Sequence, residues 1–154
     1  MCVAKAVFFI LVLLVFVVNS MGKRRCNYAE ILGTYRGLIY VELQSLNVTS
    51  SDNTYKVRRL CPSVKAHHIL GSIYDTTQWM RCQIGGKPSA LSHVLESMEQ
   101  VIIHNCSPDQ WGGRLSCASV KKIKGMERKR IQLIKIMKAL TICWQKLHSV
   151  FPAK

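Results

Sequence analysis

Cysteine has the most chemistry to offer in this 154-residue chain: seven are present, and six of them, Cys26, Cys61, Cys82, Cys106, Cys117 and Cys143, follow the amino-terminal apolar segment. An even set of thiols oxidises pairwise to three disulfides where the compartment is oxidising. Metal binding is the competing use, but no CxxC pair or regular histidine spacing accompanies the cysteines. The neighbouring His67 and His68 would point about 100° apart on a helix, which keeps them from sharing one ion. No Ser/His/Asp arrangement, paired-acid motif, phosphate-binding glycine loop or His-Asp metal motif occurs either. The residues therefore predict no enzyme, no cofactor and no metal site, but a small domain held by crosslinks.

The compartment is legible at the start of the chain. Lys5 precedes an unbroken apolar run over residues 6–18, and the small residues Ser20 and Gly22 follow. This is the pattern of a secretory signal peptide, residues 1–22, cut after Ser20 or Gly22. The run of about 13 residues falls short of the roughly 20 that span a bilayer, and no second one follows, so secretion is expected and membrane insertion is not. Cleavage removes Cys2 and leaves the even six. Residues 23–154 are one domain by length, small enough to gain from staples. With 22 Lys and Arg against 8 Asp and Glu, the net charge is +14. Such an excess suits acidic partners, which for a secreted chain are sulfated glycans and cell surfaces rather than nucleic acid; it also serves plain solubility.

Four segments carry the 3.6-residue apolar period that would position the cysteines. The first, about Cys26 to Leu46, aligns Tyr28, Ile31, Leu32, Tyr35, Leu38, Ile39, Leu43 and Leu46. The second opens at Cys61-Pro62-Ser63, with proline suited to a first turn, and runs through Val64, Ile69, Leu70, Ile73 and Tyr74 towards Met80. Gly71 costs it about 1 kcal/mol of helix preference. The third, Pro88 to Asn105, presents Leu91, Val94, Leu95, Met98, Val101 and Ile102. The fourth, about Met126 to Phe151, groups Leu133, Ile134, Met137, Leu140, Thr141, Trp144, Leu147 and Phe151.

Link lengths select the topology. Gln83 to Lys87 is about five residues and reaches less than about 20 Å, so the second and third helices are antiparallel neighbours. The links Asn47 to Leu60 and Cys106 to Gly125 are about 14 and 20 residues, enough to cross the roughly 30 Å of a 20-residue helix. One short middle link between two long ones describes an all-α, short-chain, up-up-down-down four-helix bundle of the cytokine type. Six cysteines allow 15 pairings, which the bundle sorts by end. Cys26, Cys61, Cys106 and Cys143 share one end; Cys82 lies at the other, within reach of Cys117 in the crossover alone. Cys82–Cys117 is thus expected, with the other four pairing among themselves.

Local motifs resemble the interleukin-7 family of cytokines, to which thymic stromal lymphopoietin belongs. The motifs are Cys26 at the mouth of the first helix, Arg59-Leu60-Cys61 before the second, Ile102-Ile103-His104-Asn105-Cys106-Ser107 ending the third, and Cys143-Trp144-Gln145-Lys146 in the fourth. The interleukin-7 pattern is the closer. Cys82 and Cys117 depart from its cysteine positions, and the basic crossover is more similar to that of thymic stromal lymphopoietin. The resemblance implies pairs Cys26–Cys106 and Cys61–Cys143. It also implies a monomer that joins two receptor chains on lymphoid cells: the interleukin-7 receptor alpha chain and either the common gamma chain or a dedicated one.

By the same resemblance, the first and third helices face the alpha chain and the first and fourth face the second chain. Matching positions are Glu30, Tyr40 and Gln44 on the first helix and His93, Glu96, Glu99, Gln100 and Ile103 on the third. Ile103 is either an apolar anchor on a polar face or a residue packed under the crossover. Trp144 lies on the apolar stripe, which makes it core, while the resemblance turns it towards the second chain. Lys121, Lys122, Lys124, Arg128, Lys129 and Arg130 form a basic run for heparan sulfate, which Lys135, Lys138, Lys146 and His148 could extend. Asn47-Val48-Thr49 is a glycosylation sequon; Asn105-Cys106-Ser107 also fits the rule, with a cysteine inside and proline after it. A different class uses the same features: a cationic amphipathic protein of host-defence type acting on membranes or glycans.

Overall fold

The computed structural model describes residues 7, 10–14, 26–46 and 59–151, and among these the regular structure is wholly helical. Helix α1 (Tyr28–Thr34) passes through a π-helical stretch (Tyr35–Ile39) into α2 (Tyr40–Ser45). Helices α3 (Ala66–Ile84), α4 (Ala90–Asn105) and α5 (Met126–Val150) follow, with 3-10 turns at Pro108–Trp111 and Cys117–Ser119. The fold class is all-α. The cleavage positions Ser20 and Gly22 and the sequon at Asn47 lie outside the described residues. Among the described residues no helix is long and apolar enough to cross a membrane.

Local chemistry sets the helix ends. The Asn27 side chain accepts the Glu30 N–H at 3.3 Å and opens α1. Ser89 and Ser92 form a reciprocal capping box, which starts α4 at Ala90 rather than Pro88. Helix α3 does not open at Cys61-Pro62. The Ser63 hydroxyl accepts the Lys65 N–H at 3.1 Å, a local turn that competes with helix, so α3 begins at Ala66 and Val64 is left exposed. Its other end passes Met80 to Ile84, where Gly85 adopts φ +72° and stops it.

The π-helical stretch also changes a face. Tyr40 N–H reaches back to the Tyr35 carbonyl, so the stretch holds one residue more than an α-turn would. Tyr35, Ile39 and Leu43 stay buried, while Leu38, expected on the same stripe, turns outward at 46% exposure.

The core joins Ile31, Leu32 and Ile39 to Ile69, Leu70, Ile73 and Tyr74 of α3, Val94, Leu95, Met98 and Ile102 of α4, and Met137, Leu140, Trp144 and Leu147 of α5. Each such side chain contributes about 1.5–3 kcal/mol by leaving water. Helix α3 packs on both α4 and α5, and α1 with the π stretch packs on α4. Tyr35 stacks on Trp144 with ring centroids 4.8 Å apart, and Tyr28 meets Phe151 at 4.8 Å, which brings the first and last helical segments together. Ile134 and Phe151, counted on the inward stripe of α5, are partly exposed instead.

Three disulfides fasten these helices. Cys26–Cys106 joins the start of α1 to the end of α4, and Cys61–Cys143 ties the approach to α3 into α5. Cys82–Cys117 holds the crossover near the far end of α3, the pair that the two-end argument requires. Lys146, a candidate for the glycan stripe, instead donates from Nζ to the Cys61 carbonyl at 2.9 Å.

Candidate binding surfaces

The connection between α4 and α5 is long, yet α3 grips it at three levels. Gln78 accepts the Leu115 N–H on Oε1 at 2.5 Å, while its Nε2 donates to the Tyr74 hydroxyl at 2.6 Å. Gln83 donates to the Lys121 carbonyl at 2.8 Å and accepts the Ile123 N–H at 3.0 Å, a two-point clamp on the connecting backbone. Both glutamines are buried, where unpaired amides would be costly, so the crossover backbone completes them and they fix its path. Trp111 lies on Gly71: a Cβ built there would sit 2.7 Å from Trp111 Cδ1 and 2.8 Å from Nε1. The same indole lies 5.5 Å from the His67 ring and 5.7 Å from that of Tyr74.

Between this crossover, the turn at residues 85–88 and α4 lies a cleft of about 530 Å³. Glu99 sits at its base, and here an expectation fails. Rather than facing a partner, Glu99 is 1% exposed and ion-paired with Arg81; Arg114 Nη2 lies 3.4 Å from Oε1, which Gln78 Nε2 also approaches at 3.3 Å. A lone buried carboxylate would be unfavourable, and two guanidinium groups from different elements compensate it. His93 and Glu96 line the open part of the cleft.

The other sequence-derived positions divide by exposure. Glu30, Tyr40, Gln44, His93, Glu96 and Gln100 are exposed, and α1 lies alongside α4 with the Asn27 N–H donating to the Asn105 carbonyl at 3.0 Å. Ile103 is half-buried and packs against the core. Trp144 is fully buried on Tyr35, a correction to its placement among the partner-facing residues; the stack occupies the ring that a contact would need. Sequence reasoning missed Leu38 and Val41, which flank Tyr40 at 46% and 58% exposure beside its 39%. A second exposed pair one turn apart, Ile131 and Ile134, lies on α5.

Burial raises the Tyr35 phenol to about 12, with the neighbouring Tyr40 adding to the effect. Within the basic run, Lys121, Lys124 and Arg128 are exposed. Lys122 donates to the Cys82 carbonyl, and Arg130 holds Glu127 at 3.1 Å, an interaction that lowers the Glu127 carboxyl below its ordinary range. Among the described residues no group of three or more His, Cys, Asp or Glu could hold a metal ion.

Comparison with protein-family models, with curated proteins and with solved structures finds no match for the chain.

Proposed function

We propose that this protein is a secreted, interleukin-7-like cytokine: an up-up-down-down four-helix bundle that joins two receptor chains on lymphoid cells. The observation that carries the reading is the exposed apolar group Leu38, Tyr40 and Val41, on the same helical segment as exposed Glu30 and Gln44 in a crosslinked helical domain. An aromatic flanked by aliphatic residues on a polar surface is a common form of binding anchor. On α4, which packs against α1 and the π stretch, exposed His93, Glu96 and Gln100 serve the alpha chain, and Ile131 and Ile134 on α5 are available to the second chain. The topology draws support from the short α3–α4 turn, from α1 against α4, and from the Tyr28–Phe151 contact. Lys121, Lys124 and Arg128 add a patch for heparan sulfate at the cell surface. Direct action on membranes draws less support, because the apolar face of α5 is occupied by the core.

The test is binding of the oxidised mature protein to the interleukin-7 receptor alpha ectodomain at physiological salt, with excess heparin suppressing charge-driven retention. Saturable binding that weakens on the order of 10-fold or more in a folded Tyr40→Ala, Val41→Ala variant is expected, the loss of about 1.4 kcal/mol that an anchor carries. Absence of binding by a helical, fully crosslinked protein refutes the alpha-chain assignment.

A further inference from the structure

The three disulfides differ in access. Cys61 and Cys143 are fully buried; Cys106 is buried and Cys26 half-buried, its Sγ accepting from Gln110 Nε2 at 3.3 Å. Of the six disulfide cysteines Cys117 alone is exposed, and together with Cys82 it lines the cleft described above. Arg81, Lys87, Arg114 and Lys122 line the same cleft. Its acids are Glu96 and Glu99, the latter already compensated by Arg81 and Arg114. Thiol–disulfide exchange requires access by a thiolate to one sulfur and a stable leaving thiolate on the other. Nearby cations favour both, by attracting the anion and by stabilising the charge that appears on the leaving sulfur.

We infer that Cys82–Cys117 is a thiol-exchange site, opened by a small anionic thiol of the glutathione class while the other two disulfides persist. The reductant thiolate attacks Cys117 Sγ and forms a mixed disulfide, and the Sγ–Sγ bond breaks with its electron pair on Cys82. A second reductant thiolate then attacks the reductant's own sulfur in the mixed disulfide and releases Cys117. Two electrons and the two thiol protons pass to Cys82 and Cys117, and the reductant leaves as its disulfide. The clamps from Gln78 and Gln83 remain, so the helices keep their arrangement while the segment around Cys117 is freed. The cleft shares His93 and Glu96 with the α4 surface assigned to the receptor, but the exchange does not rest on that reading.

The experiment incubates the oxidised mature chain, residues 23–154, with glutathione, stops exchange with acid at intervals, and alkylates and maps the free thiols after unfolding in denaturant. Cys82 and Cys117 are expected to be labelled together, about tenfold or more ahead of the other four cysteines, with the helical circular dichroism unchanged. Labelling of Cys61 and Cys143 or of Cys26 and Cys106 in step with them, or loss of helicity in parallel, overturns the inference. At matched thiolate concentration, glutathione is expected to outpace the cationic thiol cysteamine by a margin that shrinks with added salt. A cysteamine rate equal to or above that of glutathione overturns the part assigned to the cationic cleft.

Discussion

Replacing Gly71 by alanine gives a sharp test because two effects of known size oppose each other there. At an open helix position the substitution would stabilise the protein by about 1 kcal/mol through helix preference. In this fold the new methyl would lie 2.7 and 2.8 Å from two atoms of the Trp111 ring, where carbon contacts are comfortable at about 3.5–4.0 Å. Trp111 is itself packed between His67 and Tyr74, so it must be displaced by most of an ångström, and overpacking of this kind costs about 1–3 kcal/mol. The clash wins: Gly71→Ala should destabilise by about 1 kcal/mol and lower Tm by about 4 °C. In a Trp111→Ala background the obstacle is gone, and the same substitution should stabilise by about 1 kcal/mol, a coupling of about 2 kcal/mol. Urea unfolding of the four proteins, followed by far-UV circular dichroism, measures the cycle. Equal stabilisation by Gly71→Ala in both backgrounds would refute the packing of the crossover on α3.

Two further substitutions probe the core. Tyr35→Phe keeps the stack on Trp144 and removes a hydroxyl buried without a partner, so urea unfolding at neutral pH should show a gain of about 1 kcal/mol. Since burial raises the folded-state pKa of Tyr35 from 10 to about 12, its contribution is present below pH 10 and is lost as pH rises towards 12. Stability measured across that window should therefore fall less steeply in Tyr35→Phe, by up to about 2.7 kcal/mol; an unchanged slope excludes Tyr35 as the source. Glu99→Gln keeps shape but leaves Arg81 without its counter-charge, and since Arg81 is partly exposed the expected cost is about 2 kcal/mol by urea unfolding. Wild-type stability in that variant would place Glu99 back among surface residues.

What the sequence revealed depended on how local the cause was. The Cys82–Cys117 pair was legible because helix order and link length alone decide which end each cysteine occupies. The inward faces of α3 and α4 were legible because a regular helix repeats its apolar side. Leu38 was misplaced because a fixed period does not register the extra residue of the π stretch. Glu99 was misplaced because Arg81 and Arg114 come from other elements, and no local pattern marks a charge that finds its partners only on folding. Gly71 could be read only as a weakness in α3; its use as a seat for Trp111 depends on where the crossover lies. For the same reason nothing in the sequence singles out Gln78, and Gln83 reads only as the start of the link to Lys87, although both are buried clamps.

The order of the crosslinks along the chain has a consequence for proteolysis. The loop closed by Cys26–Cys106 overlaps that closed by Cys61–Cys143, so every peptide bond between Cys26 and Cys143 is bridged by at least one of them. A single cut in that interval leaves one covalent molecule, with two termini added and no fragment released. Such a nicked protein would migrate as a single species on a non-reducing gel and separate into two pieces only after reduction. Opening Cys82–Cys117 does not alter this redundancy, because its loop lies wholly inside the one closed by Cys61–Cys143.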